Sequence, residues 1–228
     1  MHIIATIKPW NIENFKKIKS KKYLLISDPK KLKIKNLLKY KIKYIFFPHW
    51  SQKVPKKIVD NYFCICFHET DLPDGRGGSP IQNLILRNKQ YSKITAFKMT
   101  NKIDAGPILM KEKFSLNGSA EEIYNNFSKI IFKMIKKIVK SKINLKPQNG
   151  KIIYYKRLKN NSKIDFNDNS LIKIYNKIRM LDAETYPRAI IEKNDFNYEF
   201  SSVKNNGNSL EAKVIIKKKK IFKKSKIK

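Results

Sequence analysis

Acidic side chains, arginine, cysteine and glycine are all scarce in this 228-residue chain, and each scarcity closes off a class of function. Asp and Glu number 18 against 51 Lys and Arg, a formal net charge of +33. Such a charge invites a nucleic-acid partner, because clustered cations neutralise phosphates. Only five of the basic residues are Arg, however, at 76, 87, 157, 179 and 188, and the other 46 are Lys spread among abundant Ile and Asn. Evolved phosphate and base recognition leans on the planar, bidentate Arg fork. The charge therefore reads as a solvated lysine surface in an AT-rich coding sequence, and a nucleic-acid partner is disfavoured, although phosphorylated ligands would still feel the field. The two cysteines, Cys64 and Cys66, stand two apart on a predicted strand and share a face. A disulfide between them would be strained, and two thiols alone make a poor zinc site. They are predicted to be buried free thiols, and no metal is expected. No apolar run approaches the roughly 18 to 20 residues that span a bilayer. No membrane association is expected. The first eleven residues lack a basic head and reach Pro9 early, so they read as a strand rather than a signal peptide, with a cytoplasmic location as the default.

Glycine is the most informative scarcity. Of 7 in the chain, Gly75, Gly77 and Gly78 fall in the stretch FHETDLPDGRGGSP at residues 67–80. Glycine is used where φ must be positive or where something approaches the backbone closely. His68, one of only three His, opens this stretch directly after the apolar run 62–67. Open α/β sheets place their chemistry just beyond such strand ends.

The rest of the chain supports a sheet of that kind. A hydrophobic content of 41% is enough for a substantial core. Strands are predicted at residues 3–7, 23–27, 44–47 and 62–67, alternating with short helices, the second capped by Asp28-Pro29. This alternation predicts a parallel, doubly wound α/β sheet. Pro80 opens a further helix, residues 94–100 alternate like a half-buried strand, and 108–114 resume as strand. The loop between them, 101–107, holds Asp104 and Gly106. Ser119-Ala120-Glu121-Glu122 is a capping box ahead of a helix carrying Ile123, Phe127, Ile130, Ile131, Met134 and Ile138. Residues 145–150 read as the exit from a first domain, 1–150. Residues 151–168 read as mostly loop. The second region, 151–228, shows a helix near 170–181, strands near 189–191, 198–202 and 210–216, and a lysine tail from 217 that should fray. The expected class is a Rossmann-like α/β fold, mainly parallel, with a small C-terminal α+β region.

Two polar points stand out on the first domain. His68 sits at a strand end and Asp104 in a glycine-containing loop after a later strand. Alone, either is an ordinary surface His or turn Asp. In a parallel sheet the two places can meet on the carboxyl edge, and a His oriented by a carboxylate is a general base.

At these residues the chain resembles the formyltransferase family that uses N10-formyltetrahydrofolate. The matching motifs are Cys66-Phe67-His68, Leu72-Pro73, Arg76-Gly77, Pro80-Ile81-Gln82 and Asp104-Ala105-Gly106-Pro107. Weaker matches follow at Ile164-Asp165-Phe166 and through residues 178–183. The resemblance implies formyl transfer from N10-formyltetrahydrofolate to an amine. His68 would take the amine proton or donate to the oxyanion, and Asp104 would orient it. The folate would lie between Ser51, Gln52 and Val54 on one loop and Thr100, Asn101 and Ile103 on another. Lys8, Trp10, Asn11, Arg76, Gly77 and Gly78 would contact the acceptor. The family's oxyanion Asn is Cys66 here, a much weaker donor, with Thr70 the nearest substitute.

Within the family, FHETDLPDGRGGSPIQNLI, SAEEIY and IRMLDAETYP look most like nucleotide-sugar N-formyltransferases acting on a UDP-linked 4-amino-4,6-dideoxy sugar in pseudaminic-acid-type pathways. The expected partner is that small molecule, and a homodimer stays open. Two alternatives remain: methionyl-tRNA formylation, which the basic charge suits, and a catalytically inactive ligand-binding homologue, suggested by Cys66.

Overall fold

The computed structural model describes residues 1–158, 162–165, 167 and 170–219. It resolves into two compact units, Met1–Leu158 and Lys159–Lys228.

The first unit is built on the four predicted apolar runs. They form β1 (His2–Ala5), β2 (Tyr23–Ile26), β3 (Tyr44–Pro48) and β4 (Cys64–His68). Between them come α1 (Pro9–Lys16), a 3₁₀ turn at Pro29–Lys31 whose first amides are capped by Asp28, α2 (Ile34–Leu37) and α3 (Lys56–Asn61). All four strands pair in parallel, in the order β2-β1-β3-β4. Side chains alternate across a strand. Ile3, Ala5, Ile45, Phe47 and Cys64 therefore join Leu32, Leu37 and Ile58 in one core cluster. Ile4, Phe46, Ile65 and Phe67 take the other face and are equally buried. Burial on both faces is why these strands read as continuous apolar runs.

The chain continues through β5 (Arg76–Gly77) and α4 (Pro80–Leu86) to a hairpin, β6 (Tyr91–Lys98) and β7 (Ile108–Ser115). The hairpin completes the six-stranded sheet beside β4, with β6 antiparallel to β4. In that register Lys98 faces Ile65, so the loop after β6 leaves from the amino end of β4, not the carboxyl end. The sheet is mainly parallel, but the expected meeting of two carboxyl-end loops is not how Asp104 reaches the site. Next comes α5 (Ala120–Lys140), which begins at the predicted capping box: Glu122 N donates to Ser119 Oγ and Glu122 accepts from Ser119 N. Ile123, Phe127, Ile131, Met134 and Ile138 are buried along it.

The segment after α5 does more than leave the domain. Tyr154–Tyr155 forms β8, which pairs with β5. Gly75 N and Arg76 N both donate to Ile153 O at 2.9 Å, and Gly78 N donates to Tyr155 O at 3.0 Å. The division between the units accordingly falls after Leu158 rather than at 150, because 153–157 is stitched to the glycine loop. The glycines answer to this docking. Gly77 has φ +109 and an added Cβ would lie 2.6 Å from Tyr155 O; at Gly78 it would lie 2.8 Å from Arg157 Cα.

The second unit holds α6 (Leu171–Arg179), then β9 (Ala189–Lys193), β10 (Phe196–Asn205) and β11 (Leu210–Lys218) in an antiparallel sheet of order β11-β10-β9. Lys217 and Lys218 close β11, so the first part of the expected fraying tail is paired strand; residues 220–228 and Phe166 lie outside the described residues. No helix among the described residues is long and apolar enough to cross a membrane.

Because Gly77 combines positive φ with a backbone neighbour that cannot rotate away, Gly77→Ala should destabilise the first unit by about 1–3 kcal/mol. Urea unfolding checks this. An unchanged midpoint would show that β8 docks more loosely than these distances require.

Candidate active site

Strand β4 delivers Cys66 and His68, and the next residue, Glu69, remains buried. His68 Nε2 lies 2.7 Å from Gly75 O. A carbonyl only accepts, so Nε2 is the nitrogen that carries the hydrogen. This leaves Nδ1 facing two carboxylates, with Glu69 Oε2 at 3.7 Å and Asp104 Oδ2 at 3.9 Å. A proton arriving at Nδ1 would meet negative charge on two sides. The expected pair of His68 and Asp104 is therefore brought together, and a third member joins it.

Asp104 adopts a left-handed backbone, φ 49, which is uncommon for a residue other than Gly. Its Oδ2 accepts from Gly77 N at 2.9 Å. Gln148 Nε2 donates to Asp104 O at 2.9 Å and to Gly106 O at 2.8 Å. Gly106 itself has no room for a side chain: an added Cβ would lie 1.7 Å from Lys98 O.

Glu69 falls between the matched motifs Cys66-Phe67-His68 and Leu72-Pro73 and so carries no expected role. The available signal was an acidic residue next to a strand-end His. Its other oxygen lies 3.6 Å from Nδ1 of His49, which has a positive φ of 50 and packs against Trp10 and Tyr124. Burial pushes the Glu69 carboxyl above its ordinary value, while His68 pulls it back, as does Lys8 more weakly. Burial also holds His49 down to about 3, with Lys8 and His68 adding to the effect. Burial raises the Cys66 thiol well above its usual range, and the Asp104 and Glu69 carboxylates push the same way. Cys66 is thus a neutral thiol beside two carboxylates. Like Cys64, it is a free cysteine.

The remaining expected residues divide. Lys8 lies close enough to Glu69 for their charges to couple. Trp10, by contrast, is buried in a parallel stack on Tyr124, with ring centroids 4.7 Å apart. Asn11 is fully buried, and its amide donates to Thr6 Oγ1 and Pro48 O, both at 3.1 Å. Trp10 Nε1 and Asn11 Oδ1 are buried without a hydrogen-bond partner among the described residues. Thr70, the expected stand-in for the oxyanion Asn, is buried with its hydroxyl 3.4 Å from Gly75 O, turned into the glycine loop. Arg76 is buried and its guanidinium is committed to Gln148 Oε1, through Nε at 3.2 Å and Nη2 at 2.7 Å. Gly77 and Gly78 give close approach to residues 155–157 of the chain itself.

Of the folate-side residues, Ser51, Gln52, Thr100, Asn101 and Ile103 are exposed, Ile103 at 73%. Val54 is buried, so only its backbone could meet a ligand. Trp50, Val54, Cys66 and Met99 pack into one cluster, which brings the roots of both loops to the face that bears Cys66. Among the described residues no group of three or more His, Cys, Asp or Glu could hold a metal ion.

Comparison with known proteins places the chain in a family. A solved methionyl-tRNA formyltransferase from Clostridium thermocellum superposes with a TM-score of 0.91 at 42% identity, covering 95% of this chain and 98% of that one. The chain belongs to the methionyl-tRNA formyltransferase family. Residues 159–217 match the family model for the methionyl-tRNA formyltransferase C-terminal domain. A curated methionyl-tRNA formyltransferase from Thermodesulfovibrio yellowstonii is 32% identical over 178 residues, 72% of this chain and 56% of that protein. The chain spans about half the length of the curated relatives it matches. A 4-N formyltransferase from Francisella tularensis shares the fold at 19% identity, with a TM-score of 0.61 over 83% of this chain and 90% of that one. The expected nearness to sugar-modifying members is therefore not supported: the matches at 32% and 42% identity are named for tRNA.

The raised Glu69 carboxyl carries a stability prediction. A carboxyl whose folded value lies above its unfolded one favours the folded state while protonated, and that advantage is lost as pH rises through the folded value. Glu69→Gln removes the titration. Relative to wild type, its melting temperature should be little changed near pH 4 and should gain progressively above the ordinary value of 4.5. The gain corresponds to roughly 2–4 °C for each kcal/mol recovered. A difference that stays flat with pH would mean that His68 and Lys8 fully compensate the buried charge.

Proposed function

We propose that this protein is a folate-dependent N-formyltransferase whose acceptor is the amine of methionyl-tRNA. The observation that carries the chemistry is His68 Nδ1 held within 4 Å of both Asp104 and Glu69. N10-formyltetrahydrofolate supplies the formyl carbon. The acceptor amine forms the new C–N bond, the bond from that carbon to N10 breaks, and one proton must travel from the amine to N10. His68 Nδ1 takes that proton while Asp104 and Glu69 offset the charge it creates, and then returns it to the leaving nitrogen. The exposed backbone of 51–52 and 100–103, with Ile103 projecting, suits a flat, amide-rich pterin. Oxyanion stabilisation is worth roughly 3 kcal/mol for a good donor. Cys66 supplies little of it, and Thr70 is turned away.

Family membership at 42% identity over nearly the whole chain favours tRNA over a nucleotide sugar. The charge of +33 agrees with a phosphate-rich acceptor.

The test offers N10-formyltetrahydrofolate with charged initiator tRNA and, separately, UDP-linked 4-amino sugars. Formylation of tRNA is expected, with a KM for tRNA that climbs steeply with salt while the KM for folate barely moves. His68→Ala and Asp104→Ala should each lower turnover roughly 100- to 10,000-fold without unfolding the protein. Formylation of the sugar alone would replace the acceptor, and wild-type rates in both variants would remove the chemistry.

A further inference from the structure

Asp104 faces a positional problem. Its loop starts from the amino end of β4, because Lys98 pairs with Ile65, yet its carboxylate must act beside His68 at the other end of that strand. The sheet therefore does not deliver it, and the loop has to be pinned by bonds made outside the sheet. Its backbone is also left-handed at a non-glycine residue, a conformation that persists only where surrounding contacts impose it.

Those contacts converge on one side chain. A glutamine amide has two N–H donors and an oxygen with two lone pairs. Gln148 uses all four: Nε2 donates to Asp104 O and Gly106 O, and Oε1 accepts from Arg76 Nε and Nη2. The neighbour of Arg76, Gly77, donates its N–H to the Asp104 carboxylate. Arg76 and Gly77 are in turn held by Ile153 O and by pairing with Tyr154 and Tyr155. A closed ring thus runs from Gly77 through Asp104 and Gln148 to Arg76. The buried guanidinium polarises the amide, so its bonds to the loop are strengthened by charge.

We infer that Gln148, gripped by Arg76, is a positioning residue that sets Asp104 against His68. The assignment rests on the formyl-transfer reading of this site. It gives Arg76 a role in holding the site and leaves acceptor recognition to other residues. It also accounts for the residue type: Glu has no donors for Asp104 O and Gly106 O, and Asn is one methylene shorter.

The test uses the full chain with three variants, Gln148→Leu, Gln148→Glu and Arg76→Lys, and two independent readouts. The first is hydrogen exchange at the Gly77 amide, which needs no turnover. Gln148→Leu should speed that exchange at least tenfold while the amides of β3 and β4 stay protected. The second is steady-state formylation. Gln148→Leu should lower kcat roughly 10- to 100-fold, as a misplacement near 1 Å does, with the KM for N10-formyltetrahydrofolate changed less than twofold. In an Asp104→Asn background the same change should cost almost nothing further, because the two residues act as a unit. Gln148→Glu should behave like Gln148→Leu, and Arg76→Lys should lie between them and wild type. Unchanged Gly77 exchange, or a full additional loss of kcat in the Asp104→Asn background, would overturn the assignment. If Gln148→Leu melts well below wild type, Gln148→Glu and Arg76→Lys carry the same two readouts. If wild type forms no formyl product on any acceptor, the formyl-transfer reading fails, and Gly77 exchange alone decides whether Gln148 holds the loop.

Discussion

Asp104 sits beside His68 although the strand before it runs the wrong way to put it there. In a purely parallel sheet, loops from neighbouring strands gather at the carboxyl edge and catalytic groups meet by topology. Here β6 is antiparallel to β4, so the loop at 101–107 must return along the sheet and be fastened. The fastening comes from Gly77 N and from Gln148. Those groups are themselves placed by the docking of the glycine loop on residues 153–155. The chain of dependence runs from a two-residue strand outside the sheet to the carboxylate at the centre of the site. Glycine appears in this otherwise glycine-poor protein where that docking leaves no room for a Cβ.

The electrostatics follow from the same geometry. Once Nε2 is committed to Gly75 O, the other nitrogen of His68, Nδ1, faces Glu69 and Asp104 together. Burial pushes both Glu69 and the Cys66 thiol upward, and the neighbouring Asp104 carboxylate adds to each shift. His68 and Lys8 offset part of the Glu69 shift.

Much of the first unit was legible because burial on both faces writes a strand as an unbroken apolar run. Residues 3–7, 23–27, 44–47 and 62–67 each became a strand within a few residues of the expected limits. The capping box at Ser119 was legible for a local reason, since the Ser and the Glu that bond each other lie three apart. Strand direction was not legible. Alternation over 94–100 is the same whether β6 runs with β4 or against it, so the meeting of His68 and Asp104 was expected by a route the chain does not take. Strands β5 and β8 are too short to leave a pattern. Gln148 sits in a stretch that reads as a domain exit, and its three partner residues, Arg76, Asp104 and Gly106, are distant in sequence. Arg76 and the paired glycines read as ligand contacts because a binding loop and a loop packed on its own chain require the same residue types. Asn11 and Trp10 carry a similar ambiguity: an Asn or Trp beyond a strand can face a ligand or complete the fold, and here both are buried.

The acceptor turns on what lysine and arginine each do. Arg poverty bears on base reading, where a planar fork is needed. It does not bear on attraction to phosphate, which depends on charge number and on the counterions released. A chain with 46 Lys and 5 Arg is poorly equipped to read a sequence yet well equipped to concentrate a polyanion near its surface. On the proposed reading, an enzyme that formylates an aminoacyl group need not read many bases in order to act. Strand β11 carries Lys213, Lys217 and Lys218, and Lys219 follows it, without an Arg among them. That composition fits delivery by charge, with discrimination left to the few groups around Asp104, Glu69 and His68.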